Sequence, residues 1–438
     1  MSSFVCKECG AEFASWMGKC SVCSSWDSLT ETAKITKTKK DNFSRFLPPK
    51  KEAQLLTEVS SDVLPRISTG IGECDNVLGG GIQKGSVCLV AGEPGIGKST
   101  LMLQIASDVS KGRKVLYVST EESESQIKSR GHRLGLTSQN LLILCSNSQE
   151  NIIEKIEAIA PVLLIIDSIQ AVSMLQNTFQ IGHTSLLRQT TFDFVQIAKT
   201  KNISTFLVGH ITKDGAIAGP KIIEHMVDTV LYFETTKLFR ILRTTKNRFG
   251  STNEIGIFKM NSTGLEPVGN PSGFFLSGNE NVAGLSKGAV VEGTRVFLVE
   301  VQTLVTPSNF ANPQRIAIGI DPKRFAMLLA IMEKKLSANL RQKDVFLNLA
   351  GGMKATDTSI DLSCIASVIS SIKEKPLDAK TIFMGEVDLN GQIRPVTEID
   401  KKAKEAKRMG FKTIIGSYKQ KNPHITGLRN IWEIAQML

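Results

Sequence analysis

Apolar residues gather in short runs that predict strands at 87–91, 114–119, 162–166 and 203–208. The run Val162-Leu163-Leu164-Ile165-Ile166 shows no alternation, as expected of a central parallel strand covered by helices on both faces. After the first run, Leu101, Met102, Ile105, Ala106 and Val109 recur at helical spacing, so this part reads as strand, glycine loop, helix. Farther on, 229–234 is followed by the β-rich stretch Leu238-Phe239-Arg240-Ile241-Leu242-Arg243 and a strand at 254–260. That pattern predicts a hairpin with the cations of Lys246-Asn247-Arg248-Phe249-Gly250 at its tip. From 27 to 60 no apolar period is sustained, and Lys34, Lys37, Lys39, Lys40, Lys50 and Lys51 surround Pro48-Pro49. This reads as a flexible basic linker, either a solvated tether or a contact to phosphate backbone.

The glycine loop is Gly92-Glu93-Pro94-Gly95-Ile96-Gly97-Lys98-Ser99-Thr100, with the spacing G-x-x-x-x-G-K-S of a P-loop. Glycines let backbone N–H groups converge on phosphate oxygens, and the helix N-terminus adds partial positive charge. The loop therefore predicts a nucleoside triphosphate site, with Lys98 reaching the β/γ-phosphates and Ser99 ligating Mg²⁺. At the tip of the next strand, Glu121, with Glu122 in reserve, is placed to orient or deprotonate the attacking water. A carboxylate favoured by a helix N-terminus is the competing reading. Asp167 closes the run at 162–166 and suits either a Mg²⁺-holding role or the capping of a turn at the strand end. His210, ending the run at 203–208, is placed to sense a γ-phosphate or to serve as a hydrogen-bonded structural histidine. The polar stretches 176–188 and 212–220, with Lys213 and Lys221 nearby, read as loops that either meet phosphates or lie on an ordinary surface.

A chain of 438 residues suggests about two or three domains. Its net charge of +11 favours polyanionic partners, nucleic acid before acidic protein. No apolar stretch approaches the roughly 20 residues of a membrane span, so a cytoplasmic protein is expected. Of 8 cysteines, Cys6-Lys7-Glu8-Cys9 and Cys20-Ser21-Val22-Cys23 form two matched pairs, a pattern that predicts four thiolates on one tetrahedral zinc, with a redox pair or unligated thiols as the competing readings. A segment this short needs the metal for most of its folding free energy. Trp16 and Trp26 flank the second pair, either to stack on bases or to pack against the knuckle. Cys74, Cys88, Cys145 and Cys364 are scattered, the pattern of reduced thiols.

Together, the four-cysteine finger, the P-loop segment and above all the pentapeptide Lys246–Gly250 resemble the bacterial RadA/Sms DNA-repair family over essentially the whole chain. The resemblance implies an α/β fold in which a RecA-like P-loop ATPase core at 61–270 follows a C4 zinc finger at 1–28 and a basic linker at 29–60. A C-terminal α+β Lon-protease-like domain at 273–438 completes it. It further implies a DNA-dependent ATPase using ATP, Mg²⁺ and Zn²⁺: a homo-hexameric, DnaB-like motor on single-stranded and branched DNA that drives branch migration alongside RecA recombinase. By the family pattern Lys98 and Ser99 bind nucleotide and Mg²⁺, Glu121 is the catalytic carboxylate and Asp167 the Walker B residue. Lys246 and Arg248 become intersubunit and DNA-linked switch residues, and 176–188 and 212–220 resemble central-channel loops.

Lon enzymes use a Ser-Lys pair, the lysine activating the serine. The segment similar to the Lon nucleophile loop is 352–362; there Ile360 falls at the nucleophile position, and farther on Asp400 falls at the lysine position, with Ser359 and Lys401 one residue away. A one-residue shift redirects a side chain, so the domain reads as a proteolytically inactive ring scaffold. Arg315, Lys323, Arg324 and Lys354 are its candidates for contact with duplex DNA. The alternatives are an ATP-dependent Lon-like protease and a nucleotide-gated repair scaffold.

Overall fold

The computed structural model describes residues 3–13, 15–32, 55, 65–174, 183–210, 223–236, 239–269, 272–276, 282–309, 312–417 and 423–437. The chain divides into two compact units: Met1–Thr235 with Arg240–Pro267, and Thr236–Phe239 with Val268–Leu438. The boundary is thus not one cut near 270. Phe239 belongs with the second unit, where its ring meets Phe275 edge-on at 5.4 Å between centroids.

The first unit opens with a three-stranded sheet, β1 (Ser3–Cys6) between β2 (Glu12–Phe13) and β3 (Leu29–Thr32). Strand β3 runs antiparallel to β1 from Cys6↔Leu29 to Ser3↔Thr32, so ordered pairing continues through Thr32 rather than stopping at 28. Most of the expected linker lies outside the described residues.

The main sheet of this unit has the order β12-β11-β10-β9-β4-β8-β7-β5-β6. Its parallel part comprises β4 (Val87–Gly92), β5 (Val115–Ser119), β6 (Leu141–Cys145), β7 (Leu163–Asp167), β8 (Ser204–His210) and β9 (Thr229–Thr235). An antiparallel extension follows: β10 (Arg240–Asn247), β11 (Ile255–Asn261) and β12 (Gly264–Pro267). Helix α1 (Gly72–Val77) precedes β4, and α2 (Lys98–Val109), α3 (Glu124–Arg133), α4 (Gln149–Ile159) and α5 (Thr184–Lys201) connect the strands. Strands β4, β5 and β7 are buried along their whole length because apolar clusters form on both faces of the sheet. Helices α3 and α4 begin where polar side chains satisfy the first-turn N–H groups: a Ser123/Gln126 capping box, and Ser148 accepting from Asn151 N at 3.3 Å.

This strand order is that of a RecA-like core: β8 lies between the P-loop strand β4 and the Asp167 strand β7. The expected hairpin needs one correction. Lys246 and Asn247 lie inside β10, paired with Val230 and Thr229 across a bulge after Thr244, and not in the turn. The ladder to β9 continues that far because Thr229 and Val230 are themselves held by β4.

The strands of the second unit are β13 (Leu285–Glu292), β14 (Arg295–Pro307), β15 (Arg315–Ile318), β16 (Lys343–Leu349), β17 (Thr381–Met384), β18 (Thr413–Gly416) and β19 (Thr426–Gly427). They form a mixed sheet ordered β15-β16-β14-β13-β17-β18-β19, packed with helices Pro322–Leu336 and Asp361–Lys373. Among the described residues no helix is long and apolar enough to cross a membrane.

Candidate functional site

Strand β4 ends at Gly92, whose close approach to β9 demands glycine: a Cβ there would lie 2.6 Å from Phe233 O. Gly97 turns the loop into α2 with φ of 117°, in the left-handed region. Between them Glu93, Pro94 and Gly95 are exposed and Ile96 is buried. Ser99 and Thr100 stand in the first turn of α2. The Lys98 side chain folds back across the loop, its ammonium 2.8 Å from Gly92 O and 2.9 Å from Glu93 O. Burial pulls its pKa down to about 8, against the opposing pull of Asp167 and Glu121.

Three strand ends meet this lysine. Tyr117 OH donates to Asp167 Oδ2 at 2.7 Å, fixing the carboxylate at the tip of β7. Ser168 Oγ donates to Glu121 Oε1 at 2.5 Å. His210 Nδ1 stands 3.2 Å from Lys98 Nζ, and its Nε2 stands 3.7 Å from Glu121 Oε1. Burial and then the Lys98 charge lower the His210 pKa, leaving the imidazole neutral and able to accept from the ammonium. Glu122 has a different environment: it forms an ion pair with Arg130 of α3. The fold therefore separates two adjacent carboxylates, Glu121 toward Lys98 and His210, Glu122 toward a helix.

Several side chains at this site were not singled out from the sequence. Tyr117 carried a signal, a hydroxyl inside an otherwise apolar run. Ser168 also follows directly on Asp167. Arg240, whose Nε donates to Ile96 O at 3.2 Å, and Gln170, bonded to the His210 backbone, had none because their partners are distant main-chain atoms.

Lys246 and Arg248 are not brought to the P-loop of their own chain. Gly92 pairs with Phe233 near the end of β9, whereas Lys246 pairs with Val230 at its start. The Lys246 ammonium is held by the carbonyls of Glu224 (2.8 Å), His225 (3.3 Å) and Val227 (2.8 Å). Burial, reinforced by Arg248, lowers its pKa. Arg248 pairs with Asp228 at 3.3 Å. The segment 212–220 and most of the stretch beginning at 176 fall on residues outside those described.

In the finger, Cys6 Sγ and Cys23 Sγ are 3.5 Å apart, and Cys9 Sγ and Cys20 Sγ 3.6 Å, with all four sulfurs within 4.8 Å of one another. Zn–S bonds of about 2.3 Å in a tetrahedron place sulfurs roughly 3.8 Å apart, so the cluster fits zinc. Trp16 and Trp26 are exposed, with Lys19 Nζ 5.6 Å from the Trp26 ring centre.

In the second unit Ile360 is buried and Asp400 exposed. Ser359 is buried and donates to Ala289 O at 2.7 Å, while Lys401 is exposed and pairs with Glu398 at 3.1 Å. No Ser359–Lys401 pair forms, because the lysine that points inward is its neighbour Lys402, 2.7 Å from Asp357 Oδ2. Of the cations expected to face duplex DNA, Arg315 is paired with Glu333 and Arg324 with buried Asp361, so both are engaged in the fold. Lys323 and Lys354 are exposed.

Comparison with known proteins finds matches to separate parts of the chain and to nearly all of it. The family described as an AAA domain matches residues 53–216, the rubredoxin metal binding domain matches 4–31, and subunit ChlI of Mg-chelatase matches 323–420. A KaiC-like protein from Pyrococcus horikoshii OT3 aligns over 47% of this chain and 99% of its own at 21% identity, with a TM-score of 0.41. DNA repair protein RadA of Bacillus subtilis (strain 168) is 43% identical over 99% of this chain and 97% of its own length. Its counterpart in Campylobacter jejuni is 45% identical over 94% and 93%. Because that identity extends through the finger, the P-loop unit and the second unit alike, the chain belongs to the RadA family of DNA repair proteins.

Proposed function

We propose that this protein is a DNA-stimulated ATP hydrolase that works as a homo-hexameric ring on single-stranded DNA. In this reading it promotes branch migration of intermediates made by a RecA recombinase. The observation that carries the proposal is the gathering of Lys98, Glu121, Asp167 and His210 at one end of the sheet, with Lys246 and Arg248 at the far end of β9. One protomer thus presents phosphate-binding and water-activating groups at one edge and two cations at another, an arrangement suited to completing a neighbour's site.

The P-loop amides and Lys98 hold the phosphates, and Glu121 takes the proton of the attacking water as the bond between the γ-phosphorus and its bridging oxygen breaks, leaving ADP and phosphate. Ser168 keeps Glu121 aimed, and Tyr117 keeps Asp167 in place. Ser99 and Asp167 are the groups that would hold Mg²⁺, which supplies neutralisation of phosphate charge when bound. His210, touching both Lys98 and Glu121, registers the γ-phosphate. Lys246 and Arg248 of an adjacent protomer stabilise the charge that develops on the transferred phosphoryl group.

The test compares ATP turnover with and without single-stranded DNA in the wild type and in Arg248→Ala, alongside sedimentation with nucleotide and DNA. DNA should raise wild-type turnover, and Arg248→Ala should bind nucleotide without that response. A chain that stays monomeric with both ligands and still hydrolyses ATP at full rate would end the proposal.

A further inference from the structure

The side-chain amide of Gln170 is bonded twice to the main chain of His210: Nε2 donates to His210 O at 2.9 Å, and Oε1 accepts from His210 N at 2.9 Å. Strand register explains the pair. On one edge β8 is paired with β4 up to Gly92↔His210, but on the other edge its ladder with β7 stops at Asp167↔Val208. Beyond Asp167 the chain leaves the sheet through Ser168 into the short 3-10 turn Ile169–Ala171. The main chain of His210 therefore has no strand partner on the β7 side, and a partly buried peptide group left unpaired costs stability. An amide offers a donor and an acceptor in one plane, so Gln170 takes the place of the missing peptide. The orientation of the amide is fixed, since only one assignment satisfies both bonds.

This clamp bears on chemistry because of where the His210 ring lies, between Lys98 Nζ at 3.2 Å and Glu121 Oε1 at 3.7 Å. Resting on the reading of His210 as the γ-phosphate contact, we propose that Gln170 is a positioning residue that holds His210 where it distinguishes a triphosphate from a diphosphate. Gln170 belongs to the segment directly after Asp167. The strand tip that carries Asp167 and the imidazole that meets Lys98 are thus tied by side-chain-to-main-chain bonds as well as by the ladder.

The experiment measures equilibrium binding of ATPγS and of ADP to wild type, Gln170→Met, His210→Ala and the double variant, with thermal midpoints recorded for each. Gln170→Met keeps length and volume and loses both bonds. It should lower the preference for ATPγS over ADP about tenfold, the scale of one well-placed hydrogen bond to a charged group, with ADP affinity held and the thermal midpoint lowered by a few degrees for the two main-chain groups that lose their partner. Adding Gln170→Met to His210→Ala should cost nothing further, since the glutamine acts through the histidine. An unchanged ATPγS preference in Gln170→Met, or losses that multiply in the double variant, would overturn the proposal. A Gln170→Met chain that loses ADP and ATPγS binding together with its thermal midpoint would also overturn it, by showing a purely structural role. A wild type that binds both nucleotides but hydrolyses none would sink the proposed function and leave this comparison readable, because it is made on binding alone.

Discussion

Lys98 Nζ and His210 Nδ1 stand 3.2 Å apart, two groups that repel when both are protonated and share a hydrogen bond when the imidazole is neutral. Burial disfavours the charged form of each, lowering the lysine to about 8 and the histidine below its usual value. The P-loop lysine is therefore less firmly charged without nucleotide than a solvent-exposed lysine.

That depression makes nucleotide binding proton-linked. A bound triphosphate places negative charge beside Lys98 and raises its pKa, so between about 8 and the usual lysine value of 10.5 binding takes up a proton. Calorimetric titration of ATPγS at about pH 9, in two buffers of different ionisation enthalpy, should show uptake of a fraction of a proton that disappears in Lys98→Ala. Equal heats in the two buffers would mean that Lys98 is charged before nucleotide arrives.

Glu121 and Glu122 are adjacent in sequence and differ in surroundings. Glu121→Gln keeps the hydrogen bond to Ser168 and removes the base, so ATP turnover should fall by about 10²–10⁴ with nucleotide affinity retained. Glu122→Gln loosens the partly exposed pair with Arg130, which is worth about 1 kcal/mol or less. Its turnover should stay within about twofold of wild type, a scale on which that loss is minor. Steady-state phosphate release separates the two variants, and equal losses would refute the assignment of Glu121.

The four sulfurs of Cys6, Cys9, Cys20 and Cys23 should bind about one zinc per chain, and Cys6→Ser should remove it. Since the finger has only a small cluster of its own around Cys6, Cys20 and Leu29, metal loss should unfold it. ATP binding by the P-loop unit should remain. Elemental analysis and limited proteolysis of the N-terminal segment report the two effects, and a Cys6→Ser protein with full zinc content would exclude this site.

In the second unit Lys402 is fully buried and pairs with Asp357, which also accepts from Val291 N and Ser359 N at 2.9 Å each. Burial alone would raise the Asp357 pKa, but Lys402 and these backbone donors outweigh it and lower it. The pair's stabilisation is therefore present above the usual carboxylate pKa and lost as pH falls through the folded value. Lys402→Met should destabilise the unit by about 3 kcal/mol, because it leaves a largely covered carboxylate with its two backbone donors but without its cation. Adding Asp357→Asn should recover part of the loss. With Trp16 and Trp26 replaced by Phe, Trp432 is the remaining tryptophan of 3, so urea unfolding followed by its fluorescence isolates this unit. A small effect of Lys402→Met would show that the pair is solvated.

The sequence alone determined what depends on a few neighbouring residues. Gly92 to Thr100 forms a phosphate loop because glycine backbone freedom, one lysine and a helix start are all local properties, and the unbroken apolar run before Asp167 implies a buried parallel strand for the same reason. The paired cysteines likewise carry their ligand geometry in their spacing. Tertiary structure decided the choices among equivalent candidates. Arg130 draws Glu122 away from Glu121 across a turn and a helix, the carbonyls of Glu224 and Val227 hold Lys246, and the side of a helix decides that Lys402 and not Lys401 points inward. The end of the β7–β8 ladder makes Gln170 a partner for His210. Each of these depends on contacts between groups far apart in the chain; helical spacing puts Lys402 on one face with Ala403 and Ala406, but only the packing of that face beside Asp357 makes it a site for a buried ion pair.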